Sequence, residues 1–445
     1  EQLNPEKVRF DLTWDDIHIE QPIGFGGFSQ VFRVQLNGTS EENHYALKCL
    51  NPQTKLHTKT FKTGAVDLAI EGEILSRLDH ENVIKLHGVC GGGSLKAYME
   101  SDRGYFLVLD LLDDTLSSKL DKYRAHYRGM RSSSSSSSVS KHMSTSAVLE
   151  RVNAVALGVA KGMEYLHSQG VALRDLKPDN VGFDGDTVKL FDLGFAREEH
   201  TIKPTEVAGS LRYMAPEVAR GHGSLLASDV YSYGVLLWEI CTLDKPYKHV
   251  NSREEFMQSI VMEEWRHTTS KIPSNSLRKL IKECWQTDAQ KRPTFSQIVK
   301  KLRVELAMTK TTTPVPNKGF GSSVNLKRTA TWTAKKLTSG ISNSNLGVLR
   351  LGFKSRESFS SASDVAAAGE SRARSRSPKP SGNRNATFGS KPNGTTLSKN
   401  SLLFKQLRSD TIAEMPGEHE GNEAPKTGGL RRGMPSAPAF AHVKS

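Results

Sequence analysis

Leu173-Arg174-Asp175-Leu176-Lys177-Pro178-Asp179-Asn180, followed after 11 intervening residues by Asp192-Leu193-Gly194, is the stretch that decides how this chain is read. It gathers two cations, three carboxylates and an amide between leucines. Carboxylate and amide oxygens are hard ligands suited to Mg2+, and lysine and arginine suit phosphate oxygens. Phosphoryl transfer asks little covalent help of a protein, so such a set is sufficient for it. The bland alternative is a solvated loop with unrelated charges.

Upstream, Ile17 to Leu50 alternates polar and apolar residues around glycines, as in IGFGGFSQVFRV and HYALKCL, which predicts a meander of antiparallel strands. From Asp67 to Leu78, DLAIEGEILSRL puts Leu68, Ile74, Leu75 and Leu78 on one helical face, and the strand-like YFLVLDLL follows a glycine-rich loop. These pieces predict a small β-rich lobe carrying one helix. The unbroken serine run Ser132–Ser138 cannot pack a core, so about 124–145 reads as a disordered insertion. Helical periodicity then dominates in Ser146–Ser168, Ser228–Thr242, Glu254–Trp265, Ser276–Gln286 and Ser296–Met308, which predicts a larger, mainly helical lobe.

Two further segments carry chemistry. Gly24-Phe25-Gly26-Gly27-Phe28-Ser29-Gln30-Val31 lies between strand-like runs, where backbone amides can lie over a phosphate chain without intervening side chains; alone it is equally a turn. Seventeen residues after Val31 comes Tyr45-Ala46-Leu47-Lys48. In order and spacing, these segments resemble the Gly-rich loop, V-A-I-K strand, H-R-D-L-K-x-x-N loop and D-F-G of protein kinases. Gly209 to Glu217 resembles the end of a kinase activation segment, Ser228 to Glu239 the central large-lobe helix, and Arg292 stands in KRPTF. The resemblance covers about Trp14 to Leu306.

That resemblance implies an α+β, bilobal protein kinase fold, with ATP and Mg2+ as cofactors and protein substrates as partners. Gly24, Gly26 and Gly27 would cover the phosphates, and Val31, Ala46, Asp110 and Leu112 would surround the nucleotide. Lys48 would grip the α and β phosphates with a helix glutamate as partner. Glu71 and Glu73 point about 200° apart on a helix, and Glu71 is the family's place. Asp175, preceded by Arg174, would orient the substrate hydroxyl and accept its proton. Lys177 would neutralise the γ-phosphate, and Asn180 and Asp192 would hold Mg2+. Glu217 would pair with Arg292, and Asp229 would hold the catalytic-loop backbone. Lys177 and Ser210 imply serine/threonine specificity, while YMAPE and SYGVLLWEI look tyrosine-kinase-like; the blend is similar to the tyrosine-kinase-like branch. Thr201, Thr205 and Ser210 are the regulatory candidates. A phosphate at Thr201 or Thr205 would order the segment through Arg174, unless Glu206 already supplies that charge.

Four positions depart from the family pattern: Ser29 for the third glycine, Leu173 for histidine, Leu193 for phenylalanine, and Gly182 where an apolar residue usually lies beneath adenine. None removes a catalytic group, although they motivate the alternative of a pseudokinase scaffold. Loss of about one methylene of burial at Gly182, ~0.8 kcal/mol, implies modestly weaker nucleotide affinity.

The net charge of +13 lies almost wholly in the tail: residues 309–445 hold 22 basic against 8 acidic residues, and the rest 39 against 40. The domains are read as an N-terminal extension at 1–16, a kinase domain at 17–306 and a basic, Ser/Thr-rich disordered tail at 307–445. An anionic partner, RNA or a membrane surface, would meet that tail, and Thr329, Ser358 and Ser377 stand in contexts that invite phosphorylation. Cys49, Cys90, Cys241 and Cys284 form no C-x-x-C pair, which fits a reducing compartment, cytoplasmic or nuclear. No run of about 18 apolar residues suggests a transmembrane segment. The chain starts at Glu1 without methionine, as a fragment would. Nothing in the motifs speaks to oligomeric state.

Overall fold

The computed structural model describes residues 8–26, 28–91, 104–133, 144–203 and 205–311. The alternating N-terminal segments form strands β1 (Arg9–Leu12), β2 (Ile17–Phe25), β3 (Ser29–Leu36) and β4 (Tyr45–Leu50). With β5 (Leu86–Cys90) and β6 (Phe106–Asp110) they make a six-stranded sheet in the spatial order β1-β5-β6-β4-β3-β2. Only β1 runs parallel to its neighbour. Register places Val31 opposite Lys48 and Ala46 opposite Leu109, so the glycine hairpin sits beside the lysine strand.

Residues 9–12, within the N-terminal extension, form an edge strand of this sheet. Leu12 is fully buried, in the space a side chain on Gly88 would need. Trp14 donates its indole N–H to the Gly104 carbonyl at 2.9 Å and meets Phe106 edge-on at 5.0 Å. A four-residue strand is too short to display a period, which is why the alternation there was illegible.

Helix α1 (Thr58–Leu75) packs on the sheet with Leu68, Ile74 and Leu75 buried, and Leu78 is buried just beyond its end. It begins earlier than the apolar period suggests. The added turns carry Gly64, where a Cβ would fall 2.8 Å from the Phe28 Cβ, so the helix and the glycine loop approach closely.

The large lobe continues with β7 (Asp114–Thr115), α2 (Leu116–Ser133) and α3 (Thr145–Arg151), which passes through one π turn into α4 (Leu157–Ser168). Then come β8 (Val171–Ala172), β9 (Val181–Asp184), β10 (Thr187–Leu190), β11 (Arg197–Glu198), α5 (Pro216–Ala219), α6 (Leu226–Thr242), α7 (Arg253–Phe256), α8 (Asn275–Cys284) and α9 (Phe295–Thr311). Every residue of α6 from Ser228 to Cys241 is buried, so this helix is the axis of the lobe.

The insertion starts later than its composition suggests, because α2 carries the chain through Ser133. Leu116, Leu120 and Arg124, four apart, are buried on one face. Arg124 donates to the Leu243 carbonyl at 2.7 Å and to Glu239 at 2.6 Å. An arginine in the third place of that stripe broke the apolar period and hid the helix. The serine residues 134–138 and the tail from 312 lie outside the described residues. Among the described residues, no helix is long and apolar enough to cross a membrane.

Candidate active site

The cleft between the lobes brings together residues that the chain separates by more than a hundred positions. On the small-lobe side, β4 carries Lys48 and α1 carries Glu71, and the lysine Nζ lies 2.6 Å from Glu71 Oε2 and 2.7 Å from Asp192 Oδ1. Glu71, not Glu73, makes this contact, and its other oxygen accepts the Leu193 amide at 3.1 Å. Lys48 is buried. Burial by itself would push its pKa down, but the Asp192 and Glu71 carboxylates outweigh that and hold it above the ordinary lysine value.

On the large-lobe side, β8 leads into the loop holding Asp175. Lys177 Nζ lies 2.7 Å from Asp175 Oδ2 and 2.9 Å from Ser210 Oγ, and the Ser210 amide donates to Asp175 Oδ1 at 2.7 Å. Asn180 Nδ2 donates to the Asp175 carbonyl at 2.9 Å and to its carboxylate at 3.1 Å. The Asn180 Oδ1 is buried without a hydrogen-bond partner in the structure. Arg174 (φ 70°) and Asp192 (φ 58°) adopt the left-handed conformation. Non-glycine residues there cost of order 1 kcal/mol or more and cluster at functional sites, where the surrounding fold enforces them.

The loop is braced from beneath. Asp229 of α6, 1% exposed, accepts the amides of Leu173 and Arg174, both at 2.8 Å, and lies 3.0 Å from His167 Nε2. Arg292 grips Glu217 through both oxygens at 2.7 and 2.9 Å, and Ser228 adds a third contact at 2.8 Å. Burial alone would raise the Glu217 pKa; the Arg292 hydrogen bonds more than offset this and keep it below the usual range. Leu75, Leu173 and Leu193 are all buried, so both leucine departures remain apolar.

The other sequence candidates divide. Gly24 pairs with Val31 across the hairpin, and the Gly26 amide donates to the Ser29 carbonyl at 2.6 Å; Gly27 lies outside the described residues. Ala46 is buried and Leu112 half-buried at the cleft. The Asp110 carboxylate accepts from the Lys85 amide (2.9 Å), His87 (2.8 Å) and Lys189 (2.8 Å), which leaves its backbone for the expected nucleotide contact. Burial would raise its pKa, but these bonds hold it down at about 2.

In the activation segment, Ser210 joins Asp175 and Lys177 while Thr201 and Thr205 are exposed, Thr201 donating to the Glu198 carbonyl at 2.8 Å. The Arg174 guanidinium is met by Glu206 at 3.0 Å. Sequence spacing gave no signal for two ion pairs joining α1 and the turn after it to the segment, Asp67 with Arg197 at 3.2 Å and Arg77 with Glu198 at 2.5 Å. Nor did it reveal Tyr213 donating to Glu239 at 2.6 Å, beside Arg124.

Two lobes, a lysine–glutamate pair from sheet to helix, and a loop aspartate beside a lysine and an asparagine define the arrangement of a protein kinase. A sequence profile of the protein kinase domain matches residues 17–302, and the chain belongs to that family. It is 32% identical over 319 residues to fibroblast growth factor receptor 1 of Pleurodeles waltl, covering 68% of this chain and 36% of the relative. Against the serine/threonine-protein kinase CTR1 of Arabidopsis thaliana it is 30% identical over 317 residues, 69% of this chain and 33% of the relative. A mitogen-activated protein kinase kinase kinase of Drosophila melanogaster is 28% identical over 304 residues, 66% of this chain and 23% of the relative. The chain thus spans about a third or less of these relatives' length. Motifs and relatives together put it in the tyrosine-kinase-like branch of the superfamily.

Proposed function

We propose that this domain transfers the γ-phosphate of ATP to serine and threonine hydroxyls of protein substrates in a signalling pathway. The observation that carries the reading is Lys48 held between Glu71 and Asp192 while Asp175 stands in contact with Lys177 and Asn180. Lys48, kept charged by its two carboxylates, is fitted to grip phosphate oxygens. Asp175 offers a carboxylate to a substrate hydroxyl, and Lys177 beside it offers positive charge to the group in flight.

Asn180 and Asp192 fit Mg2+. The unpartnered, buried Asn180 oxygen is a hard ligand, and Mg2+ commonly takes only one or two protein oxygens together with substrate phosphates. When bound, the ion would neutralise phosphate charge. Gly24 and Gly26 support the reading by leaving two positions of the hairpin without side chains, Gly24 opposite Val31 and Val31 in turn opposite Lys48.

The choice of Ser/Thr over Tyr rests on Lys177 bridging Asp175 and Ser210, and on relatives whose names say serine/threonine. Radiolabelled ATP with a basic protein substrate, followed by phosphoamino-acid analysis, tests it. Phosphoserine and phosphothreonine are expected; predominant phosphotyrosine reverses the specificity, and no incorporation above an Asp192→Asn control supports the scaffold alternative. The four cysteines, all buried, suit a reducing compartment, cytoplasm or nucleus. The +14 tail suits an anionic partner, RNA or a membrane surface, which salt-dependent binding of the full chain would reveal.

A further inference from the structure

Gly182 of β9 is the family departure that the reaction chemistry leaves unexplained, since kinases place an apolar side chain at this position beneath the adenine ring. The space over this glycine is nevertheless filled. A Cβ at Gly182 would fall 2.5 Å from Leu112 Cδ1 and 3.3 Å from Cδ1 and Cε1 of Phe191. Leu112 lies in the short connection between β6 and β7, and Phe191 immediately precedes Asp192. Both are half-buried and pack against the main core. The Phe191 amide is fixed by the Asn180 carbonyl at 3.0 Å, so its ring edge comes from a constrained backbone. The contacting atom of Leu112 is instead the far end of a flexible side chain. A glycine within a strand commonly marks such a close approach by a neighbouring segment.

We propose that the Leu112 side chain is the purine-contacting floor of the nucleotide site, supplied from the interlobe connection in place of the side chain missing at Gly182. The proposal rests on the nucleotide reading above and makes Leu112 a specificity-determining residue for the purine ring. It replaces the weakened affinity that the sequence suggests with a rebuilt contact. A side chain at 182 and Leu112 in its present rotamer exclude each other, because 2.5 Å is below any real carbon contact. The two positions are therefore energetically coupled, and their coupling is the signature to measure.

The test is Mg-ATP binding to the full chain, titrated with a fluorescent ATP analogue and checked by ATP-dependent thermal shift. It compares the parent, Leu112→Ala, Gly182→Leu and the double variant. Leu112→Ala removes about two methylene equivalents of contact and is expected to weaken binding about tenfold. The double variant rebuilds the floor from β9 and is expected to return to within about threefold of the parent. Parent-like binding by Leu112→Ala, or the same Leu112→Ala loss whether 182 is glycine or leucine, overturns the proposal while leaving the kinase reading intact. A parent that binds no nucleotide overturns the kinase reading and this inference with it. A loss of packing alone is told apart by the melting midpoint without nucleotide: it would lower that midpoint in Leu112→Ala and leave the affinity for ATP at the parent value.

Discussion

On the large-lobe wall of the cleft, Asp229, 1% exposed, gathers the amides of Leu173 and Arg174 and the ring of His167, whereas on the small-lobe wall α1 and the turn after it are tied to the activation segment by pairs whose side chains are 13 to 38% exposed. Solvent-exposed ion pairs typically contribute 0 to 1 kcal/mol, while removing one partner of a buried network costs ~3 to 5 kcal/mol. The catalytic loop is therefore built into the core of its lobe. The Lys48–Glu71 contact depends on a helix packed on the sheet, whose ties to the activation segment are weaker, salt-sensitive pairs. Removing the brace of the first wall should destabilise the lobe; removing the ties of the second should detune the reaction.

The largest expected effect tests whether the walls are equivalent in chemistry despite that difference. Asp175→Asn on one and Lys48→Met on the other should each lower phosphate transfer at least ~1,000-fold while the chain stays folded. Residual activity above a trace in both, measured with radiolabelled ATP, would break the assignment. Next, Asp229→Ala should cost ~3 to 5 kcal/mol in urea unfolding, because two loop amides lose their buried acceptor. A cost under 1 kcal/mol would remove the distinction between the walls.

A smaller effect concerns the large lobe's dependence on pH. His267 stacks on Trp238 at 4.0 Å, meets Trp265 edge-on, and accepts the Tyr247 amide on Nε2 at 2.9 Å, which requires the neutral ring. Burial first, then the nearby His249, lowers its pKa to about 4. An unfolded histidine titrates near 6.5, so the stabilisation is complete above that pH and is lost as pH falls through 6.5 towards 4. After discounting for partial solvent screening, about 1 to 2 kcal/mol should disappear over this window. His267→Gln should flatten that slope in pH-dependent melting; an unchanged slope would assign it to other groups. Smallest of all, Arg77→Ala should change stability by less than about 1 kcal/mol, yet lower the transfer rate a few-fold, and the parent should lose a similar factor in high salt. A stability loss matching that of Asp229→Ala would show that the small-lobe wall is equally embedded.

The bilobal fold and most of the candidate site were legible because they rest on short-range information. Alternation marks β2, β3 and β4, a 3.6-residue period marks the core-facing side of α1 and α6, and Lys48, Asp175, Asn180 and Asp192 stand in recognisable local strings. Glu71 over Glu73 was also within reach, since the helical rotation between them admits only one towards Lys48. The sequence was silent where one residue's meaning lies in a distant partner. The edge strand Arg9–Leu12 exists through its pairing with β5, and Arg124 extends α2 into the insertion because Glu239 and the Leu243 carbonyl receive it. That the Asp110 carboxylate is surrounded by Lys85, His87 and Lys189 was equally out of reach. Whether Arg174 waits for a phosphate or already has its anion is likewise unreadable from spacing, and Glu206, 32 positions along the chain, meets it at 3.0 Å. Local periodicity reports which face of an element is apolar. Only the packed chain decides which charged or empty positions on different elements come within hydrogen-bonding or van der Waals range, because those forces act across a few ångströms of space and are blind to distance along the sequence.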